Sequence, residues 1–239
     1  MERLNLASFI FLVVLFVLMP RAALRSARQL RLAQSEGKPL PRLRIAISTM
    51  FALTVLWFLA TMNAGAMGRS LFAVGQIGLR EVAIGAAGLM LLLMANVISR
   101  RFSTPDEERR RLLYGFAPRT GKEYAVFALM AVMAGIAEEA AYRGVAVWTL
   151  TSVFGNPVGP IFLSAMAFSV THAVQGGKAM AIVFAIALVL QGIVQLTGTL
   201  VIAMVVHTIY DLIAGAIAMR RVNALLAAVP PAAATPTPG

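Results

Sequence analysis

Runs of about 20 apolar residues recur along this chain, and no other feature limits its fold so tightly. A helix of that length crosses a bilayer, and in lipid every backbone N–H and C=O must be bonded within the segment or across a closed barrel. The reading is all-α: a polytopic transmembrane helical bundle of about seven spans. An eighth element arises if the longest run is broken. With 59% hydrophobic and only 13% charged residues, the composition lies outside the range of soluble domains.

The first apolar run, Leu6 to Met19, ends at Pro20 and is followed by Arg21, Arg25, Arg28 and Arg31. Positive charge after the run, with Glu2 offsetting Arg3 before it, argues for a spanning helix over a signal peptide. The arginine spacing puts the charges on one helical face and predicts a short surface helix against anionic lipid, or simply a topology signal. Further spans are expected over Ile45–Gly65, Val82–Ser99, Tyr124–Phe154, Val158–Val174, Ala179–Leu196 and Thr199–Met219. Arg220-Arg221 closes the bundle, and a Pro/Ala/Thr stretch from Val229 is expected to be disordered. The expected organisation is an N-terminal three-span region (1–123), a helical core (124–221) and a tail (222–239), with no second large soluble domain.

The net charge is +11, concentrated mainly in two inter-helix loops. No nucleic-acid reading motif accompanies it, so nucleic acid is excluded as a partner and the lipid bilayer takes its place. Alternating spans from an outside N-terminus put both basic loops, Lys178 and Arg220-Arg221 in the cytoplasm. Zero Cys rules out disulfides, thiolate nucleophiles and Cys-ligated metals. An Ala- and Arg-rich, Cys-free chain of this kind fits a bacterial inner membrane.

Ten acids occur, and only Glu138, Glu139 and Asp211 lie inside apolar runs; both histidines, His172 and His207, do too. Charge at bilayer depth costs several kcal/mol, so such groups are functional candidates and are expected to converge on one polar cavity. Glu139 and Arg143 are four apart and can pair along the helix, with the Glu on the better, N-terminal side. Glu138 shares its stripe with Ala134, Gly135 and Tyr142, about 100° round from Glu139. Phe168 lies one turn before His172, and His207 one turn before Asp211.

A carboxylate and an imidazole on facing helices can hold a water and take its proton, while a second imidazole with a polar neighbour stabilises an oxyanion. That is amide hydrolysis without a covalent intermediate. The same residues also leave open a proton or ion relay. Glu138, His172 and His207 could also ligate zinc, although neither His belongs to a His-Glu-x-x-His motif. No cofactor is otherwise expected. Depth is the awkward point. Glu138 lies about 21 Å along its helix from Tyr124, whereas His172 falls near the cytoplasmic end of its span. For the two to meet, the fourth helix must be tilted, set lower or interrupted.

At these residues the chain resembles the CAAX protease and bacteriocin-processing (CPBP/Abi) family, which includes the type II prenyl-protein endopeptidases. Its Glu-Glu-x-x-x-Arg motif appears as Glu138-Glu139-Ala-Ala-Tyr142-Arg143, Phe-x-x-x-His as Phe168-Ser-Val-Thr-His172, and His-x-x-x-Asn/Asp as His207-Thr-Ile-Tyr-Asp211. The resemblance implies an intramembrane endopeptidase of glutamate type. Glu138 and His172 would activate the water, His207 and Asp211 would form the oxyanion site, and Glu139, Arg143, Tyr142 and Phe168 would support them. The prenyl endopeptidases have Asn where Asp211 stands. An ionised Asp cannot donate, so Asp211 is either protonated or orients His207. The implied partner is a membrane-associated protein or peptide substrate, and the motifs do not specify a prenylated one. A non-catalytic immunity or partner-binding role is the alternative use of the scaffold.

Overall fold

The computed structural model describes residues 5–36, 38, 42–74, 77–114 and 117–228. Among the described residues eight helices run in order: α1 (Leu6–Ser35), α2 (Arg42–Ala66), α3 (Leu79–Arg101), α4 (Pro105–Tyr114), α5 (Gly121–Phe154), α6 (Val158–Thr171), α7 (Gly177–Thr197) and α8 (Leu200–Ala227). No strand occurs among the described residues. All but α4 and α6 are long and apolar enough to cross a membrane. Large apolar side chains such as Phe51, Phe58, Met90, Met94 and Phe162 point outward, as lipid-facing surface requires. The chain is an integral membrane protein.

Four elements differ from the sequence expectation. The first helix does not stop at Pro20. A proline inside a helix lacks its N–H and presses on the carbonyl four residues earlier. Here a π-helical turn over Val14–Leu18 precedes it, widening the bonding pattern so that the helix continues to Ser35. Arg21, Arg25, Arg28 and Arg31 therefore extend the span along its own axis, not as a separate surface helix. The expected fifth span is the 14-residue α6, about 21 Å long and too short to cross alone. The second polar loop contains α4, whose Glu107 binds Lys178 at 2.9 Å and whose Glu108 pairs with Arg221. Finally, α8 runs past Arg220-Arg221 to Ala227 and takes in the first residues assigned to the tail. Val222 is fully buried beside Leu112, which holds that extension against α4. The expected disorder from Val229 onward lies outside the described residues.

One apolar core crosses the boundary at residue 123. Phe11, Leu15, Leu53, Leu56 and Leu92 from α1–α3 join Ala140, Tyr142, Phe168, Leu190 and Ala203 from α5–α8. Ser8 donates to Asn63 at 3.1 Å, a buried polar clamp between α1 and α2. Close helix approach depends on glycine at one position above others. A Cβ on Gly135 would stand 2.2 Å from Thr208 Oγ1 and 3.0 Å from the Met204 carbonyl, so only glycine lets α5 lie this near α8.

The corner between α5 and α6 levels the two arms that follow from it. Gly155, in the left-handed region at φ 76°, ends α5, and Val158 opens α6. Glu138 lies 16 residues before Phe154, about 24 Å, and His172 14 residues after Val158, about 21 Å. The shortness of α6 is what resolves the difference in depth expected from the sequence. His172 ends a half-length helix, at the level of Glu138.

Candidate active site

The first motif folds as a π-helix. Within α5, Glu139–Ala146 forms one i→i+5 segment, and every residue in it is buried. Such segments are uncommon and recur at functional sites because they turn side chains away from the α-helical phase. Small residues make room: Ala140 and Ala141 are fully enclosed, and Gly144 lets Leu200 approach to within 2.9 Å of where a Cβ would be. Ser164 of α6 donates to the Tyr142 carbonyl at 2.6 Å, giving a main-chain acceptor inside this segment a partner from the neighbouring helix.

Glu139 is fully buried, and one of its oxygens meets two partners. Oε1 is 3.1 Å from Arg143 Nη1, the pair expected from spacing. The same oxygen accepts from His207 Nδ1 at 2.7 Å. A carboxylate can only accept, so Nδ1 holds a proton and Nε2 faces the other way. On that side stand Asp211 Oδ2 at 3.6 Å and Glu138 Oε2 at 3.8 Å. One imidazole is thus surrounded by three carboxylates from two helices. Nδ1 is held by Glu139, and Asp211 lies at the opposite nitrogen, Nε2.

Exposure grades the cluster. Glu139 and Arg143 are 0% and 2% exposed, His207 7%, Glu138 17% and Asp211 29%. Glu138 and Asp211 are therefore the most accessible carboxylates of the cluster. Glu139 and Arg143 form the closed floor.

His172 belongs to the same cluster through aromatic contacts. The Phe168 ring lies 4.6 Å from the His172 ring, 6.4 Å edge-on from His207 and 5.1 Å from Tyr142. The Arg143 guanidinium lies over its face at 4.1 Å. Phe168 is the wall shared by four site residues, where spacing alone gave it only His172. His172 Nδ1 donates to the Phe168 carbonyl at 3.0 Å, and a carbonyl can only accept. Nδ1 therefore carries the proton, and Nε2 lies on the other side of the ring. Thr171 also donates to that carbonyl, at 2.6 Å, fixing the turn from the other side.

The structure links Glu138, Glu139 and Asp211 to His207, and Arg143 to Glu139, through contacts within 4 Å, and places Tyr142, Phe168 and His172 against them. Two features have no signal in the sequence: the contact of Glu139 with His207, 68 residues away, and the Ser164 support of the π segment. Zinc would need three or four ligands at about 2.0–2.2 Å. Among the described residues no three His, Asp or Glu side chains form such a cluster.

Residues 120–213, which contain every one of these groups, match the model of the family described as type II CAAX prenyl endopeptidase Rce1-like. Over this stretch the chain is similar to that family. The matched segment begins just before α5 and ends two residues after Asp211. No curated protein and no solved structure matches the chain.

Proposed function

We propose that this protein is an intramembrane endopeptidase that hydrolyses a peptide bond of a membrane-associated protein or peptide with a water activated by Glu138 and His172. The observation that carries the reading is the arrangement around His207. Its Nδ1 is fixed by a buried carboxylate, and its Nε2 faces the two most accessible carboxylates of the cluster. An imidazole held in this way presents one oriented donor to a carbonyl oxygen that becomes negative in the tetrahedral intermediate.

In this mechanism Glu138 takes a proton from the attacking water, and His172 Nε2, free because Nδ1 is spent on Phe168, is the second acceptor. To donate from Nε2 while Nδ1–H stays on Glu139, the His207 ring carries two protons. Glu139 and Glu138 supply the balancing negative charge. The proton on Glu138 then goes to the leaving amine. Glu139 and Arg143 act through His207 and Phe168 and do not touch the reacting atoms. Asp211, on the Nε2 side, lies where it would meet the oxyanion or the leaving group in its protonated form.

The test is cleavage of a peptide library by purified protein in detergent, comparing wild type with Glu138→Ala and Glu138→Gln. The reading expects turnover by the wild type only, persisting in the presence of chelator. Equal turnover by the variants, or a requirement for added metal, overturns it.

A further inference from the structure

A second cavity lies at the opposite end of the bundle from the arginines of α1. Its volume is about 340 Å³, and it is lined by the loop after α2, by α5 beyond the π segment and by the α7–α8 corner. Arg69 and Trp148 dominate it: the guanidinium lies 5.1 Å from the indole centroid. Val194 and Leu200 form the apolar side, and Ser70 and Gln195 add polar groups. No acidic residue lines the cavity.

This cavity is not the mouth of the catalytic site. Trp148 follows Glu138 by ten residues on α5, and everything from Glu139 to Val147 between them is buried. Arg69 is exposed and has no acidic partner among the described residues. Its neighbour Arg80, by contrast, pairs with Glu81 at 3.0 Å. The cation–π contact with Trp148 holds the guanidinium over the indole at the cavity. Ser70 Oγ accepts from Phe72 N at 3.2 Å, so its own O–H remains available to donate. A planar cationic fork, a hydroxyl donor and an amide, set against Val194 and Leu200, match an anion of tetrahedral oxygens carried on an apolar or glycerol body. Trp and Arg are also the side chains that favour the headgroup region of a bilayer.

We infer that the Arg69–Trp148 cavity binds the phosphate of an anionic phosphoester, either a phospholipid headgroup or a small soluble phosphate. The experiment is native mass spectrometry and thermal unfolding of the full chain in zwitterionic detergent. The probes are phosphatidylglycerol, phosphatidylcholine, glycerol 3-phosphate and inorganic phosphate, and the proteins are wild type, Arg69→Gln and Arg80→Gln. Arg69 is exposed, so its replacement leaves folding intact. The expected result is one retained equivalent of anionic ligand that raises the melting temperature of wild type and Arg80→Gln. Binding to Arg69→Gln should be about tenfold weaker, the loss of one charge-assisted contact. Retention of phosphatidylglycerol over phosphatidylcholine identifies the lipid as the source. Protection by glycerol 3-phosphate or inorganic phosphate alone identifies the soluble anion. Equal binding by Arg69→Gln and wild type overturns the site, as does an equal loss in Arg80→Gln. Peptide cleavage is read separately, so failure here leaves the endopeptidase reading untouched.

Discussion

His207 Nδ1 and Glu139 Oε1, 2.7 Å apart and both buried, tie α5 to α8 at the centre of the site. The same carboxylate oxygen meets Arg143, so one fully enclosed group serves a charge pair within its helix and a hydrogen bond between helices. Two adjacent glutamates therefore have separable roles, and substitution should separate them.

Glu139→Ala leaves Arg143 buried without its counter-charge and frees the His207 ring, a change expected to cost about 3–5 kcal/mol of stability. Glu138→Gln removes a partly exposed proton acceptor and should lower turnover by about 10²-fold or more with little change in stability. Thermal unfolding in detergent and peptide cleavage, run on both variants, give the split. If both lose stability equally, Glu138 is a structural group.

Gly135→Ala should force α8 away from α5, because the new methyl group overlaps Thr208 Oγ1 and crowds the Met204 carbonyl. Overpacking of this kind costs about 1–3 kcal/mol. Adding Thr208→Ala relieves only the side-chain overlap, so the double variant should recover part of the melting temperature and part of the activity. Full recovery would show that the backbone contact is unimportant.

Ser164→Ala removes the donor to the Tyr142 carbonyl inside the π segment. Losing this buried hydrogen bond costs about 0.5–1.5 kcal/mol. Ser164→Thr keeps the hydroxyl and should restore most of that stability. The check is a pair of melting curves. Equal melting of Ser164→Ala and wild type would mean that the hydroxyl does not support this turn.

Acid should loosen α4. Thr104 N donates to Glu107, and Lys178 pairs with it; together they hold this carboxyl below its usual 4.5. A depressed carboxyl stabilises fully above its ordinary value, and the contribution disappears as pH falls below it. Protection factors across Pro105–Tyr114, corrected for the intrinsic exchange rate, should therefore fall on acidification below about pH 4. In Glu107→Gln protection should already be lowered at pH 7 and change little on acidification. A protection pattern independent of pH in the wild type would remove Glu107 from the docking of α4.

Much of this was legible in the sequence. Apolar runs gave the spans because lipid leaves backbone few alternatives, and helical spacing gave the Glu139–Arg143 pair because residues four apart face each other whatever the fold. The continuation of α1 through Pro20 was not legible. It depends on a π turn, and π turns arise from packing more than from composition. Nor was the grip of Glu139 on His207. Spacing fixes neighbours along one helix, but contacts between helices depend on how Gly135 lets α5 and α8 close. The shortness of α6 was hidden because Ala173–Gln175 continues the apolar pattern while the backbone has already left the α-helix for a 3₁₀ turn.

The Gly155 corner makes the chain between Glu138 and His172 a caliper with one fixed opening. Each residue inserted into or deleted from either jaw would slide one half of the site about 1.5 Å along the membrane normal and swing it through about 100°. A single-residue change in length anywhere from 138 to 172 should therefore be more damaging than most substitutions there. The polar connections outside these jaws, such as 102–104, carry no such calibration and can vary in length.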